Sequence, residues 1–281
     1  ASMDRVGEVL RDIDSYPDWM AKVKEAKTLE KYSPNDMDVY LVLNFPWPAS
    51  DRYVVATAET QADLDAAGSI TTTRVIEDEQ IEDEKGMVRL PQMHQQYVLS
   101  FKERGKTEVT FTLYLESGGN LSSLTVNPVI KGVPHASLEN LKSYVEKDKY
   151  QNTDPFDEKN IDITRVIVES ILRRNFDDEN IIAMVLDDRE LMNIALDEGY
   201  SDDGCVKTAS AIIRKYVGTQ LFRKDIEDSE DRDLLAELKE DTDLAGKISE
   251  DEKILDQFIQ DGEITNRTLG KMAHLIRDTT N

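Results

Sequence analysis

All eight prolines of this 281-residue chain lie at or before Pro155, and the 126 residues that follow contain none. Proline removes a backbone donor and clashes with the preceding helical turn, so a proline-free stretch of that length suits a mostly helical segment. The polar run Gln151-Asn152-Thr153-Asp154-Pro155 stands at the change and marks a boundary near residues 150–158. Two domains are therefore expected, 1–150 and 156–281, in keeping with ~100–200 residues per domain. Charge divides along the same line: net −8 over residues 1–150 and net −15 over 151–281, out of −23 for the chain.

Apolar residues make up 39% and charged residues 32%, the balance of a soluble folded chain and not of a disordered or fibrous one. A single cysteine excludes an intramolecular disulfide framework and a multi-cysteine zinc site. No apolar run reaches the ~18 residues of a membrane-spanning helix. The opening Ala1-Ser2-Met3-Asp4-Arg5 lacks the pattern of a signal peptide. The compartment stays open, cytoplasmic or exported. A charge this negative repels phosphate backbones, which argues against nucleic acid as a partner.

In the first half, Val6, Val9, Leu10 and Ile13 recur at helical spacing and stop at Tyr16-Pro17. Strand-like alternation follows in Val39-Leu41-Leu43, Tyr53-Val55, Ile70-Thr72, Tyr97-Leu99-Phe101 and Val109-Phe111-Leu113-Leu115. The tight polar turn Glu103-Arg104-Gly105-Lys106 predicts that the last two form a hairpin. A long helical pattern then opens at Leu121-Ser122-Ser123-Leu124 and runs to Val145, with Pro128 and Pro134 expected to kink it. This order predicts an α+β domain, a curved antiparallel sheet folded around one long helix so that both bury their apolar faces.

The second half reads as an all-α domain. Stripes at Ile163-Val166-Ile167-Ile171, Ile181-Ile182-Val185-Leu186 and Leu191-Ile194-Ala195 predict three short helices. Val206 to Tyr216, Leu234 to Leu238, Ile254 to Ile259 and Thr265 to Ile276 predict more. Cys205 reads as an inert small hydrophobe, and the acidic run Asp197–Gly204 as a solvated loop without calcium-ligand spacing.

The most distinctive stretch is Asn44-Phe45-Pro46-Trp47-Pro48-Ala49-Ser50-Asp51-Arg52, a stiff turn between two strands with an aromatic and an Asp-Arg pair. On composition alone it is a rigid corner whose tryptophan packs in the core. Together with its surroundings it resembles the START (StAR-related lipid-transfer) family in its bacterial form, and more widely the helix-grip, polyketide-cyclase-like superfamily. The resemblance covers most of residues 1–146 and rests on four pieces in order. These are Asp12 to Trp19 after the first helix, the Pro46-Trp47-Pro48 and Ser50-Asp51-Arg52 junction, Val88-Arg89, and Gly118-Gly119 leading to Asn127, Pro134 and Leu138-x-x-Leu141.

The resemblance implies a hydrophobic tunnel between sheet and long helix that binds a lipid, sterol or similar apolar molecule, usually without catalysis and without a cofactor. In this sequence the tunnel would be lined by Val109, Phe111, Leu113 and Leu115 from the last strand and by Val126, Ile130, Val133 and Leu138 from the helix. For any single one of these, core packing is the plainer reading. Arg52, Arg74 and Arg89, on or beside apolar strands, are candidates to hold a ligand head group, with a salt bridge to Asp51 or another surface acid as the plainer role. Trp47 would belong to the loop that gates the tunnel. A carrier of this kind is expected to show a cavity of ~300–1,000 Å³, and transient membrane contact without a transmembrane segment.

Two features depart from the family pattern: a serine at 122 or 123 stands where a proline follows the glycines, and the strand before the first helix has no counterpart. The sequence is then either a fragment or leaves a sheet edge uncovered. Two other functions stay open. The acidic helical domain would suit docking of a basic protein partner. A cyclase would use cavity tyrosines such as Tyr40, Tyr97 or Tyr114 as acids; His94, His135 and His274 sit in no nucleophile or metal motif.

Overall fold

The computed structural model describes residues 1–47, 49–76, 86–119, 121, 130–174, 176, 179–201, 204, 207–208, 211–212 and 215. The chain divides into two compact units: 1–101 with 105–166, and 102–104 with the chain from Ile167 onward.

In the first unit, helix α1 (Met3–Arg11) buries Met3, Val6, Val9 and Leu10 on one face, as their spacing demands. A 3₁₀ turn at Ile13–Ser15 leads into the short helix α2 (Tyr16–Trp19), with Pro17 in its first turn, where a missing N–H is harmless. Seven strands follow: β1 (Val23–Ser33), β2 (Asp36–Leu43), β3 (Arg52–Asp63), β4 (Gly68–Val75), β5 (Val88–Arg89), β6 (Gln92–Glu103) and β7 (Lys106–Glu116). They form one sheet in the order β1-β2-β3-β4-β6-β7, with β5 lying parallel beside the start of β3. The β6–β7 turn carries Gly105 at φ +81°, a conformation that costs glycine nothing.

The pairing Leu41↔Val54, Ala58↔Thr73 and Thr73↔Gln95 carries one face of the sheet across four strands. The other face holds a separate cluster of Tyr40, Val42, Tyr53 and Val55, packed against Ile76 and Met87. This explains why β2 and β3 are buried on both sides, whereas β7 alternates between inward Phe111 and exposed Tyr114.

Helix α3 (Val133–Tyr144) lies against the α2 segment. Ser137 Oγ accepts from Ala21 N–H (3.1 Å), Asn140 Nδ2 donates to the Trp19 carbonyl (2.8 Å), and Tyr144 Oη donates to Asp18 (2.9 Å). The helical pattern is interrupted beside Pro134, as expected: Ile130 and Lys131 are helical, Gly132 is a turn, and α3 starts afresh at Val133 with Pro134 in its first turn. The expected helical residues 122–129 lie outside the described residues. Strand β1, which periodicity did not signal, forms one edge of the sheet and is exposed along most of its length.

In the second unit the elements described after Ile167 are helices, where the apolar stripes predict them. Helix α4 (Ile161–Arg173), which begins in the first unit, buries Ile167, Val168, Ile171 and Leu172. Helix α5 (Glu179–Leu186) buries Ile181, Ile182 and Val185, and α6 (Arg189–Glu198) buries Leu191, Met192 and Ala195. Asp188 caps α6 by accepting from the Glu190 and Leu191 N–H groups, and Gly199 ends it at φ +61°. The helices expected at 234–238, 254–259 and 265–276 and Cys205 lie outside the described residues.

Candidate functional site

A cavity opens between the sheet and the start of α3. Its sheet wall comes from Leu41 on β2, Met93 and Gln95 on β6, and Leu113 and Leu115 on β7. Met20, Val23, Leu43 and Phe45 close one side, and Ile130 and Val133 roof it. Period-two alternation places the strand residues: each second position of β6 and β7 faces inward. Lys22 and Asn44 are exposed at its margin, and Gln95 is the one buried polar side chain among the described lining residues. The cavity measures about 30 Å³, space for roughly one or two waters. Among the described residues this cavity falls short of the several hundred cubic ångströms expected.

The structure brings four of the expected site residues, Leu113, Leu115, Ile130 and Val133, together in this lining. Phe111 points the same way along β7 but is stacked on Tyr97, ring centres 4.2 Å apart, and does not reach the cavity. Val109, further along that face, and Leu138 on α3 are half-buried and also outside the lining. Val126 lies outside the described residues. Trp47 is neither core nor lining: at 92% exposure it projects from the β2–β3 loop.

None of the three candidate arginines lines the cavity, and Arg74 is exposed. Arg52 is buried, and its guanidinium donates to the carbonyls of Ser117 (3.0 Å), Gly118 (3.5 Å) and Ser50 while packing on the Phe45 ring. Burial draws its pKa down and Asp51 pulls it up. Arg89, on β5, donates to the Ile76 carbonyl at 3.4 Å. Asp51 completes the corner: it accepts from Lys24 at 2.7 Å and from the Phe45 N–H at 3.3 Å. The Lys24 hydrogen bond, more than the Phe45 N–H, holds its carboxyl below the usual range against the opposing effect of partial burial.

The tyrosines of the cyclase alternative are not gathered at the cavity. Tyr40 belongs to the cluster on the opposite face of the sheet, Tyr114 is exposed, and Tyr97 is fully buried behind Phe111. Burial pushes the Tyr97 phenol well above its ordinary pKa. Sequence reading missed Gln95, Met93, Met20 and Phe45. The signal for the first two was available, because the alternation Tyr97-Leu99-Phe101 extends backwards in phase through Gln95 and Met93. Among the described residues no group of three His, Cys, Asp or Glu is close enough to hold a metal ion, and no helix is long and apolar enough to cross a membrane.

Comparison with known proteins bears on this site. The model of the START domain family matches residues 1–143. An uncharacterized protein of Pseudomonas aeruginosa is 29% identical over 147 residues, 52% of this chain and 71% of its own length. Among solved structures, a STAR-related lipid transfer protein from Xanthomonas axonopodis is 24% identical with a TM-score of 0.47, covering 52% of this chain and 81% of its own. The Zhui aromatase/cyclase from Streptomyces sp. R1128 is 17% identical with a TM-score of 0.37, covering 52% of this chain and 87% of its own.

Proposed function

The chain belongs to the START domain family through residues 1–143, and on that premise we propose that its first unit binds a lipid-like apolar molecule between sheet and α3, without catalysis. The observation that carries this reading is the cavity itself, walled by Leu41, Met93, Leu113, Ile130 and Val133 in the place where sheet and helix meet. Burying an apolar ligand there gains ~25 cal/mol per Å² removed from water. The same lining supports binding over cyclisation. Acid–base catalysis needs at least two groups facing the reacting atoms, and the described lining has one buried polar side chain.

At about 30 Å³ the cavity admits no lipid as it stands, since ligand pockets run to ~300–1,000 Å³. Binding therefore includes an opening step. Phe45 is the side chain to move, because it stands between the lining and the β2–β3 loop and is held by Asp51 and Arg52. Trp47, at the exposed tip of that loop, is the proposed transient contact with a membrane surface.

Native mass spectrometry of the purified full chain, followed by organic extraction, tests the reading. A stoichiometric apolar molecule that is lost from the folded Leu113→Trp or Val133→Trp variants is the expected result. A chain that carries nothing, and takes up no added palmitate, phosphatidylcholine or cholesterol, overturns it. A second reading, docking of a basic partner by the chain from residue 156 on, rests on the net −15 of residues 151–281. Loss of a co-purifying partner on deletion of that part supports it.

A further inference from the structure

Four buried side-chain polar atoms lack a hydrogen-bond partner around the inward side of β4 and β6: Gln95 Nε2, Tyr97 Oη, Ser69 Oγ and Trp19 Nε1. All four residues are at most 3% exposed. Unpaired buried donors are uncommon and destabilising, so each needs a reason. Gln95 and Tyr97 stand two apart on β6 and face the same way, and their cross-strand partners Thr73 and Thr71 on β4 are buried too. The result is a polar seam on an otherwise apolar wall. It meets the cavity at one residue, because Gln95 lines it.

Resting on the apolar-binding reading above, we infer that the ligand is an uncharged amphiphile whose hydroxyl or carbonyl oxygen enters the cavity and accepts from Gln95. A carboxamide is neutral and offers both a donor and an acceptor, which suits an alcohol or a carbonyl. A carboxylate or phosphate in the same place would be a buried charge facing a neutral amide. The cation of the lining, Lys22, is exposed at the margin and does not compensate a charge at Gln95. Arg52 and Arg89 are outside the lining and donate to backbone carbonyls. The site therefore discriminates by charge state: chain length and shape are left to apolar packing, and the oxygen is read by one amide.

The test is a native mass spectrometry titration of the full chain with 1-dodecanol, dodecanoate and dodecanal at pH 8, on wild type, Gln95→Met and Gln95→Leu. Wild type is expected to bind the alcohol and the aldehyde at least tenfold more tightly than the carboxylate. Both variants are expected to lose roughly three- to tenfold in affinity for alcohol and aldehyde, the worth of one neutral hydrogen bond, with dodecanoate unchanged. Equal affinity of wild type for alcohol and carboxylate overturns the inference, and this arm needs no folded variant. Unaltered alcohol binding by a folded variant overturns the role of Gln95. Binding of none of the three probes by wild type sinks the apolar-binding reading itself, and this inference with it.

Discussion

The guanidinium carbon of Arg52 lies 4.7 Å from the centre of the Phe45 ring, and both residues are buried. Phe45 is part of the cavity wall and Arg52 is not. The arginine instead ties three pieces of chain together: the β2–β3 loop through Phe45 and Ser50, the start of β3 where it sits, and the segment after β7 through Ser117 and Gly118. An arginine that sequence reading offers as a ligand hook is thus a structural clamp on the wall of the site. Its planar fork suits several carbonyls at once, which a lysine does not.

Replacing it is expected to be costly. Arg52→Met leaves the carbonyls of the half-buried Ser117 and Gly118 without this donor, a loss of about 1 kcal/mol, and removes a cation–π contact of about 0.5–2 kcal/mol. Urea denaturation should show the lower midpoint. Arg52→Lys should recover less than half of the difference, and a full recovery would refute the clamp.

Asp51 gives the same corner a pH dependence. Its pKa is depressed in the folded chain, chiefly by the hydrogen bond from Lys24. A depressed carboxyl contributes stability above its unfolded pKa, near 3.9, and loses it as pH falls through the lower folded value. Asp51→Asn should therefore be less stable than wild type at pH 7, with the gap closing below about pH 3. The Lys24 partner is mostly exposed, so the gap should stay under about 1 kcal/mol. Paired urea titrations at pH 7 and pH 3 measure it, and a gap that widens in acid would contradict the assignment.

The inward phase of β7 and the start of the long helix are legible in the sequence because Leu113, Ile130 and Val133 are apolar residues in regular register. Strand β1 is not, because an edge strand wetted on both faces has no alternation to read: Leu29 and Tyr32 are exposed, and three register shifts interrupt its pairing with β2. Gln95 sits in the phase of a recognised strand, yet its polarity argues for the outward face until burial is seen. Arg52 and Trp47 show the limit of composition most clearly. The charged residue of the motif is buried at 2% exposure and the aromatic one projects at 92%, an inversion set by backbone carbonyls and loop geometry that no periodicity encodes.

Gly68 begins β4 where it pairs with Ser100. A Cβ there would stand 2.1 Å from the Leu99 carbonyl oxygen and 2.8 Å from the Met3 methyl. The oxygen belongs to the backbone of β6 and cannot step aside, so Gly68→Ala should cost at least the 1–3 kcal/mol typical of overpacking. Gly105→Ala meets nothing within 4 Å but is strained by φ +81°, and should cost only about 1–2 kcal/mol. Thermal melts of the two variants rank them, and a Gly68→Ala protein as stable as Gly105→Ala would rule out the close approach of β4 and β6.

Replacing Trp47 is expected to separate folding from the proposed membrane contact. At 92% exposure its side chain contributes little packing, so Trp47→Ala should change unfolding free energy by no more than about 0.5 kcal/mol. An indole favours the boundary between water and lipid, and the exposed Lys22 and Lys24 stand on the chain segment that pairs with the loop's own ends. The loop is therefore expected to meet a bilayer tryptophan first, with the lysines adding attraction to anionic lipid. Transfer of a pyrene-labelled lipid between vesicles should slow severalfold in Trp47→Ala, more with phosphatidylglycerol present than with phosphatidylcholine alone, while equilibrium binding of 1-dodecanol in water is unchanged. If transfer is as fast as in wild type, the tryptophan is no membrane contact. If aqueous binding falls together with transfer, its role lies in holding Phe45 over the cavity.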